Sequence, residues 1–395
     1  MDEREVAALN RDPLVLERVE SSYDRRPEYW RLVSEEDWQS YDWQRQNRIY
    51  TADALENVLT LLPGERRAIE ALAGRFPLVL SPHMAAMIRP ALGKACPVRR
   101  QAIPSLEELN YYEMLSDDPL GERRHALSAC ATRRYPDRAL IYVTHECAMR
   151  CRHCTRRSRV GLHEMISAQM LDEAIDDVIS NTQIRDVLIS GGDALSLDNH
   201  TLKSIIQKLR SCNHIDVIRL CTRMVCTQPQ RIFDEQLLNI LRQNAPVYVN
   251  TQFNHPFEVS EESARAIRLL RESGCIVGNQ SVLLRGVNDR AGILEPLYRW
   301  LLREGCRPYY LFLCDVAQGT QHFRTSINTG LRIMEELRGR VSGLAIPHFV
   351  VDLPDGMGKV DLMPNRILSG QPGRHLKIQN WFDAVVDYED MPDEC

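Results

Sequence analysis

Residues 139–159 read ALIYVTHECAMRCRHCTRRSR. The opening ALIYVT (139–144) is the short, nearly unbroken apolar run expected of a strand buried on both faces. Directly behind it come Cys147, Cys151 and Cys154, spaced C-x3-C-x2-C among five arginines. The strand decides the fold because it is the first of a series. Similar runs follow at DVLIS (186–190), IDVIRL (215–220), VYVNT (247–251), CIVGNQSVLL (275–284) and PYYLFLC (308–314), about 30 residues apart. HFVVDL (348–353) supplies a possible seventh.

Helical spacing fills the gaps. Leu171, Ala174, Ile175 and Val178 recur at i, i+3, i+4 and i+7, as do Leu202, Ile205, Ile206 and Leu209. Ile267 with Leu270, and Leu294, Leu297 and Leu301, mark two later helices, the first starting at Ser260 and stopping at Gly274. Strand–helix alternation of this length predicts an α/β fold with a parallel sheet. The expected form is an incomplete TIM-like (β/α)6 barrel, with an open doubly wound sheet as the alternative. No Gly-x-Gly-x-x-Gly follows the first strand, which weakens a dinucleotide-binding version. The conspicuous polar residues follow strand ends: the cysteines, Gly191-Gly192-Asp193, Arg223, Asn254 with His255, Arg285 with Asn288, Asp315, then Asp352 and Lys359. In a barrel those ends form one face, and that face carries the chemistry.

Upstream, residues 1–110 read as a helical region. Ser34-x-x-Asp37 is a helix start ahead of Trp38 and Trp43, and Thr51 caps a second helix carrying Leu55, Val58 and Leu59. The expected organisation is this region, a partial barrel over 111–345, and a C-terminal segment over 346–395. The chain has 395 residues, a net charge of -5, 44% hydrophobic and 26% charged residues, a composition that gives no reason to expect nucleic acid as a partner. The start, MDEREVAALNRD, has no basic region followed by an apolar one, and no apolar run approaches the ~20 residues of a membrane span. A cytoplasmic location is expected, where thiols stay reduced. Nine of the twelve cysteines, Cys395 among them, are scattered and read as free thiols.

The triplet reads differently. Three thiolates can hold three corners of a [4Fe–4S] cube and leave the fourth iron open. Structural zinc wants four ligands, commonly two C-x2-C pairs, and only Cys151 with Cys154 makes such a pair. His145 or His153 would have to complete a cramped site.

With its position after the first strand, the triplet resembles the signature of radical S-adenosylmethionine (SAM) enzymes. The chain further resembles the lysine 2,3-aminomutase family, through RYPDR (134–138), CRHCTRR (151–157), SGGDAL (190–195), FNHP (253–256), GNQSVLLRGVND (278–289), RPYY (307–310), CD (314–315), HFRT (322–325) and FVVD (349–352). The resemblance implies a radical-SAM partial barrel, a [4Fe–4S] cluster on Cys147, Cys151 and Cys154, S-adenosyl-L-methionine on its open iron, and pyridoxal 5'-phosphate. It assigns Ser190, Gly191, Gly192, Asp193 and Gln280 to S-adenosylmethionine, and Lys359 to a Schiff base with pyridoxal phosphate. Arg134 and Arg138 then hold the phosphate, a task suited to permanently charged, bidentate donors. Arg156 pairs with the substrate carboxylate, while Asp315 and Asp352 receive the distal cation of a basic amino acid. The implied reaction is a 2,3-aminomutation, an isomerisation that moves the α-amino group to the β-carbon.

Some stretches depart from the family. PDGMGK (354–359) inserts Asp355 and Met357 into a glycine run, TRMV (222–225) replaces S-R-T-P, and Arg290 stands where the family's zinc-binding cysteine follows GVND. No structural zinc is expected. Asp355 would add a third carboxylate for a guanidinium, which sets L-arginine slightly ahead of L-lysine. A protein-bound lysine, an RNA-modifying radical SAM enzyme and a zinc-binding module are the other readings. The long N-terminal region argues against the first, the acidic balance against the second, and Lys359 with the two aspartates against the third. Expected partners are a small-molecule amino acid, an electron donor such as flavodoxin or ferredoxin, and a second copy of the chain in a homo-oligomer; neither nucleic acid nor membrane is expected.

Overall fold

The computed structural model describes residues 19–160, 165–370 and 374–391. Residues 1–18 of the helical region and Cys395 lie outside them. The N-terminal part is a set of short helices: α1 (Glu35–Gln39), α2 (Tyr41–Gln46), α3 (Ala52–Glu56), α4 (Glu65–Leu72), α5 (Pro82–Met87) and α6 (Pro97–Ala102). Ser34 caps α1 by accepting from the Asp37 amide, and Thr51 caps α3 by accepting from Ala54. Trp38 is fully buried, its Nε1 donating to Ser22 Oγ at 2.9 Å, and Trp30 packs edge-on against both Trp38 and Trp43.

One ten-stranded sheet follows in simple chain order. It begins with β1 (Ala126–Ser128), β2 (Ala131–Tyr135), β3 (Arg138–Thr144), β4 (Asp186–Gly191) and β5 (Val217–Cys221). It continues with β6 (Tyr248–Thr251), β7 (Ile276–Leu283), β8 (Arg307–Leu313), β9 (His348–Asp352) and β10 (Lys359–Asp361). Strands β3 to β9 are parallel throughout, and β1, β2 and β10 are antiparallel additions at the two ends. The seven apolar runs read from the sequence are β3 to β9, so the seventh joins the sheet. The linking helices are α7 (Ala168–Ser180), α8 (Asn199–Arg210), α9 (Met224–Thr227), α10 (Glu235–Gln243), α11 (Glu261–Glu272), α12 (Ala291–Arg303) and α13 (Ile327–Leu337). Each of the four helical stripes expected from spacing is buried against the sheet, Leu202, Ile205, Ile206 and Leu209 of α8 to 1% exposure or less. Each such side chain contributes about 1.5–3 kcal/mol by leaving water.

The sheet is an incomplete barrel, since no strand pairing joins β1 to β10. Side chains span the opening instead. Arg134 of β2 donates from Nη2 to Asp352 Oδ1 of β9 at 3.1 Å, and the Lys359 amide of β10 donates to the Tyr135 hydroxyl of β2 at 2.8 Å. Beyond β10 the chain forms a separate antiparallel sheet of β11 (Ile367–Gly370), β12 (His375–Gln379) and β13 (Val385–Glu389), which the sequence reading did not anticipate. Among the described residues no helix is long and apolar enough to cross a membrane.

Candidate active site

A cavity of about 350 Å³ opens at the C-terminal ends of the parallel strands. Its wall collects residues from both ends of the sheet, from Arg134 on β2 to Lys359 on β10. The convergence follows from topology: in a parallel series every strand leaves the sheet on the same side, so every strand-end loop meets there.

Cys147, Cys151 and Cys154 all line this cavity, half-buried and in no disulfide. The loop is anchored through its arginines. Arg152 and Glu108 form an ion pair at 2.7 Å with both side chains wholly buried, and Arg157 reaches the same carboxylate oxygen at 2.6 Å. The Arg150 amide donates to the Val79 carbonyl at 3.0 Å and the Arg152 amide to the Gln101 carbonyl at 2.8 Å. The N-terminal helices are therefore the bed on which the cysteine loop lies. Burial, together with the charges of Asp193, Cys154 and Cys151, pushes the Cys147 thiol well above its ordinary value. Burial and Cys151 push Cys154 up to about 11. Cys147 and Cys154 resist ionising unless a cation joins them, and iron would supply that charge; with Cys151 in the same wall, the donor set fits a cluster.

Beside the loop, Ser190, Gly191, Gly192 and Asp193 continue β4 into the cavity wall. Gly191 has φ +124°, and a Cβ on Gly192 would lie 2.2 Å from the Glu146 carbonyl oxygen, so only glycine lets the two loops touch. The Gly192 and Asp193 amides donate to the Thr144 and Glu146 carbonyls at 2.6 and 2.8 Å. The buried Asp193 carboxylate accepts from the Leu195 amide, Thr222 Oγ1 and the Arg223 amide at 3.0, 2.6 and 2.7 Å. It braces the loop after β5 in addition to facing the cavity. Gln280 lies half-buried on β7 in the same wall.

The opposite wall is charged. Asp352 Oδ1 accepts from both Arg134 Nη2, at 3.1 Å, and Lys359 Nζ, at 3.2 Å. The Lys359 ammonium also stands 5.3 Å from the centre of the Phe312 ring. Asp315 lies close enough to feel these groups. Burial and the Asp352 charge push it up to about 7, against the pull of Lys359 and Arg134. Arg138 lines the cavity more openly, bonded to Asp137 at 2.9 Å and stacked over Tyr135. Two guanidinium groups and one amine on a single wall fit a phosphate-bearing aldehyde cofactor.

Arg156 carries a partner that the sequence reading missed. Its Nε and Nη2 donate to Glu122 Oε1 at 2.9 and 2.8 Å, and its Nη1 donates to Ser190 Oγ at 3.3 Å. Burial alone would lower the Arg156 pKa, but the Glu122 charge more than reverses that. Burial would likewise raise Glu122, but Arg156 holds it below the usual carboxylate range. Nothing local marks Glu122, which lies far upstream of Arg156 in a different loop.

One expected residue is not brought to the group. Asp355 is exposed and outside the cavity wall. It sits in the left-handed region at φ 57°, in a turn whose backbone presses on Gly121 and accepts from His125 Nε2 at 3.3 Å. That turn directs main chain toward the barrel, so the third carboxylate that set arginine ahead of lysine is absent from this pocket. Asn254, His255 and Asn288, which follow strand ends, are fully buried braces. Asn288 Nδ2 donates to the carbonyls of Asn254 and Val282, and His255 Nδ1 accepts from the Phe257 amide.

A family model described as Lysine-2,3-aminomutase matches residues 334–395, and one described as the Radical SAM superfamily matches residues 141–294. The chain is 41% identical over 368 residues to the L-lysine 2,3-aminomutase of Clostridium subterminale, covering 93% of this chain and 88% of that protein. It is 40% identical over 381 residues to the glutamate 2,3-aminomutase of Clostridioides difficile, covering 95% and 89%. A putative L-lysine 2,3-aminomutase of Aquifex aeolicus is 41% identical over 362 residues, covering 91% and 97%.

Proposed function

The chain belongs to the lysine 2,3-aminomutase family of the radical SAM superfamily, and from that membership we propose that it moves the α-amino group of a free basic L-amino acid, L-lysine or L-arginine, to the β-carbon. The observation that carries the substrate class is the pair Asp315 and Asp352 in one buried wall. A lone carboxylate there would be costly, and two favour a cationic partner over an acidic one. The glutamate-acting relative is as similar in sequence, so identity alone does not choose between the side chains.

The residues divide the work by position. Cys147, Cys151 and Cys154 would hold the cluster, with Ser190 to Asp193 and Gln280 along S-adenosylmethionine. Lys359 would carry pyridoxal phosphate, with Arg134 and Arg138 toward its phosphate. When bound, the cluster with S-adenosylmethionine supplies a carbon radical, and pyridoxal phosphate supplies a conjugated system over which an unpaired electron spreads. Arg156, held in one orientation by Glu122, offers its remaining N–H groups to the substrate carboxylate. Asp315 and Asp352 fix the other end, so the substrate is stretched between two charged clamps with its α- and β-carbons held in between. Asp315 must give up its proton to act, which it does above about pH 7. The enclosing wall keeps water from reactive carbon. A flavodoxin- or ferredoxin-type donor supplies the electron.

The test is anaerobic. Full-length protein is reconstituted with iron, sulfide and pyridoxal phosphate, then given S-adenosylmethionine, dithionite and L-lysine, L-arginine or L-glutamate. Products are derivatised and resolved by mass. A β-amino isomer from a basic substrate and none from glutamate is the expected result. An isomer from glutamate, or none from either basic amino acid while 5′-deoxyadenosine is released, overturns the proposal.

A further inference from the structure

Arg223 lies at the end of β5, with its side chain 8% exposed. It belongs to neither the charged wall nor the substrate clamps. Its Nη1 stands 2.7 Å from Cys151 Sγ. Its Nη2 donates to Gln101 Oε1 and Glu258 Oε1, each at 2.9 Å, and its Nε donates to the Gln252 carbonyl at 3.3 Å. Glu258 is itself fully buried and fixed, accepting from the amides of Asn254 and His255 at 2.5 and 3.1 Å and from Gln101 Nε2 at 2.6 Å. The guanidinium is thus locked by Gln101 of α6, by the Gln252 carbonyl just beyond β6 and by Glu258 further along the same connection, and its remaining nitrogen faces a sulfur. A fork of fixed N–H vectors allows this, and a lysine would present only a mobile point charge.

We propose that Arg223 is a positioning residue that aims a buried positive charge at the Cys151 sulfur and so makes the cluster easier to reduce. The inference rests on the reading of the three cysteines as cluster ligands. Reduction adds one electron and makes or breaks no bond. The added negative charge spreads onto the sulfurs, where an N–H donor and a cation stabilise the reduced form. Glu258 opposes this, but it is held by Nη2, whereas the nitrogen that faces the sulfur is Nη1; a charge-assisted N–H stands directly on the sulfur and the carboxylate does not.

The experiment uses the full-length protein, reconstituted anaerobically with iron and sulfide and without S-adenosylmethionine. Dithionite sets the solution potential against redox dyes, and the EPR signal reports the reduced cluster. In Arg223→Met, the ratio of reduced to oxidised cluster at a fixed potential is expected to fall at least tenfold, which for one electron is about 59 mV. Arg223→Lys is expected to fall less, and Glu258→Gln to rise. Wild-type midpoints in both Arg223 variants, at wild-type iron content, overturn the inference. Should Arg223→Met hold no iron, Arg223→Lys and Glu258→Gln decide, and the absence of opposed shifts overturns it. Cys151→Ala separates the underlying reading: it is expected to lose the signal, and full iron with an unchanged signal would overturn the ligand assignment instead.

Discussion

Asp315 shows how one side chain sets a pH dependence. Its folded value of about 7 lies above the ordinary aspartate value of about 3.9. Between those two pH values the folded chain keeps a proton that an unfolded chain has released. Stability from this group therefore falls as pH rises across that window and is lowest above about 7. Asp315→Asn mimics the neutral acid, so it should raise the denaturation midpoint relative to wild type at pH 8 and much less at pH 5. In the proposed function the same ionisation readies the clamp. The KM for a basic substrate is expected to drop as pH rises through about 7, and in Asp315→Asn to lose that dependence and rise roughly a hundredfold, the scale of removing one member of a buried ion pair. Steady-state kinetics from pH 6 to 8.5 read both effects. Asp315, two residues past β8, and Asp352, the last residue of β9, could be placed at strand ends from the sequence, while their substrate role was implied by the family resemblance. Asp355, only three residues beyond Asp352, was misread because a left-handed backbone turn, invisible in composition, directs it outward. Glu122 was missed for the opposite reason: its meaning lies wholly in a distant partner.

At the scale of elements, the cysteine loop is a short segment held by what lies around it. Glu108→Ala would leave two buried guanidinium groups, Arg152 and Arg157, facing no carboxylate. A loss of about 3–5 kcal/mol in denaturant unfolding is expected. Burial would raise Glu108, but Arg152 holds it below the usual range. Its contribution is thus present above the ordinary carboxylate value and lost as pH falls through the lower folded one. The gap between wild type and Glu108→Gln should narrow in acid. Gly192→Ala tests the contact between loops. Its Cβ would strike the Glu146 backbone just ahead of Cys147, so iron bound per chain should fall severalfold while far-ultraviolet circular dichroism stays unchanged. The parallel strands were readable because burial on both faces makes them continuous apolar runs. Strands β1 and β2 (ALS, ATRRY) are short, antiparallel and partly exposed, and β11 to β13 expose most of their residues, so neither set carries that signal.

Across the whole molecule, the unclosed sheet is held at its opening by the same groups that line the site. Asp352→Ala removes the acceptor shared by Arg134 and Lys359 and leaves the Lys359 amide to Tyr135 bond to bridge β2 and β10 without it. Amide hydrogen exchange in 348–361 is expected to quicken at least tenfold, while β4 to β6, paired on both sides, keep their wild-type rates. Uniform exchange across the sheet would show that the opening is held elsewhere.

Chain order gives this arrangement a sequence in time. A growing chain folds from its N-terminal side as it is made. Most of what grips the cysteine loop, from Phe76 and Gln101 to Arg223 and Glu258, precedes Asp315, Asp352 and Lys359; the Gly319 carbonyl that accepts from Arg157 and the Phe323 ring against His153 come between Asp315 and Asp352. The bed of the cysteine loop is therefore largely in place while the carboxylates and the lysine are still to be translated. The half proposed to recognise the amino acid arrives last, together with the strand that brings the two sides of the barrel together. Synthesis thus lays down most of the proposed place for iron before it finishes the proposed place for substrate.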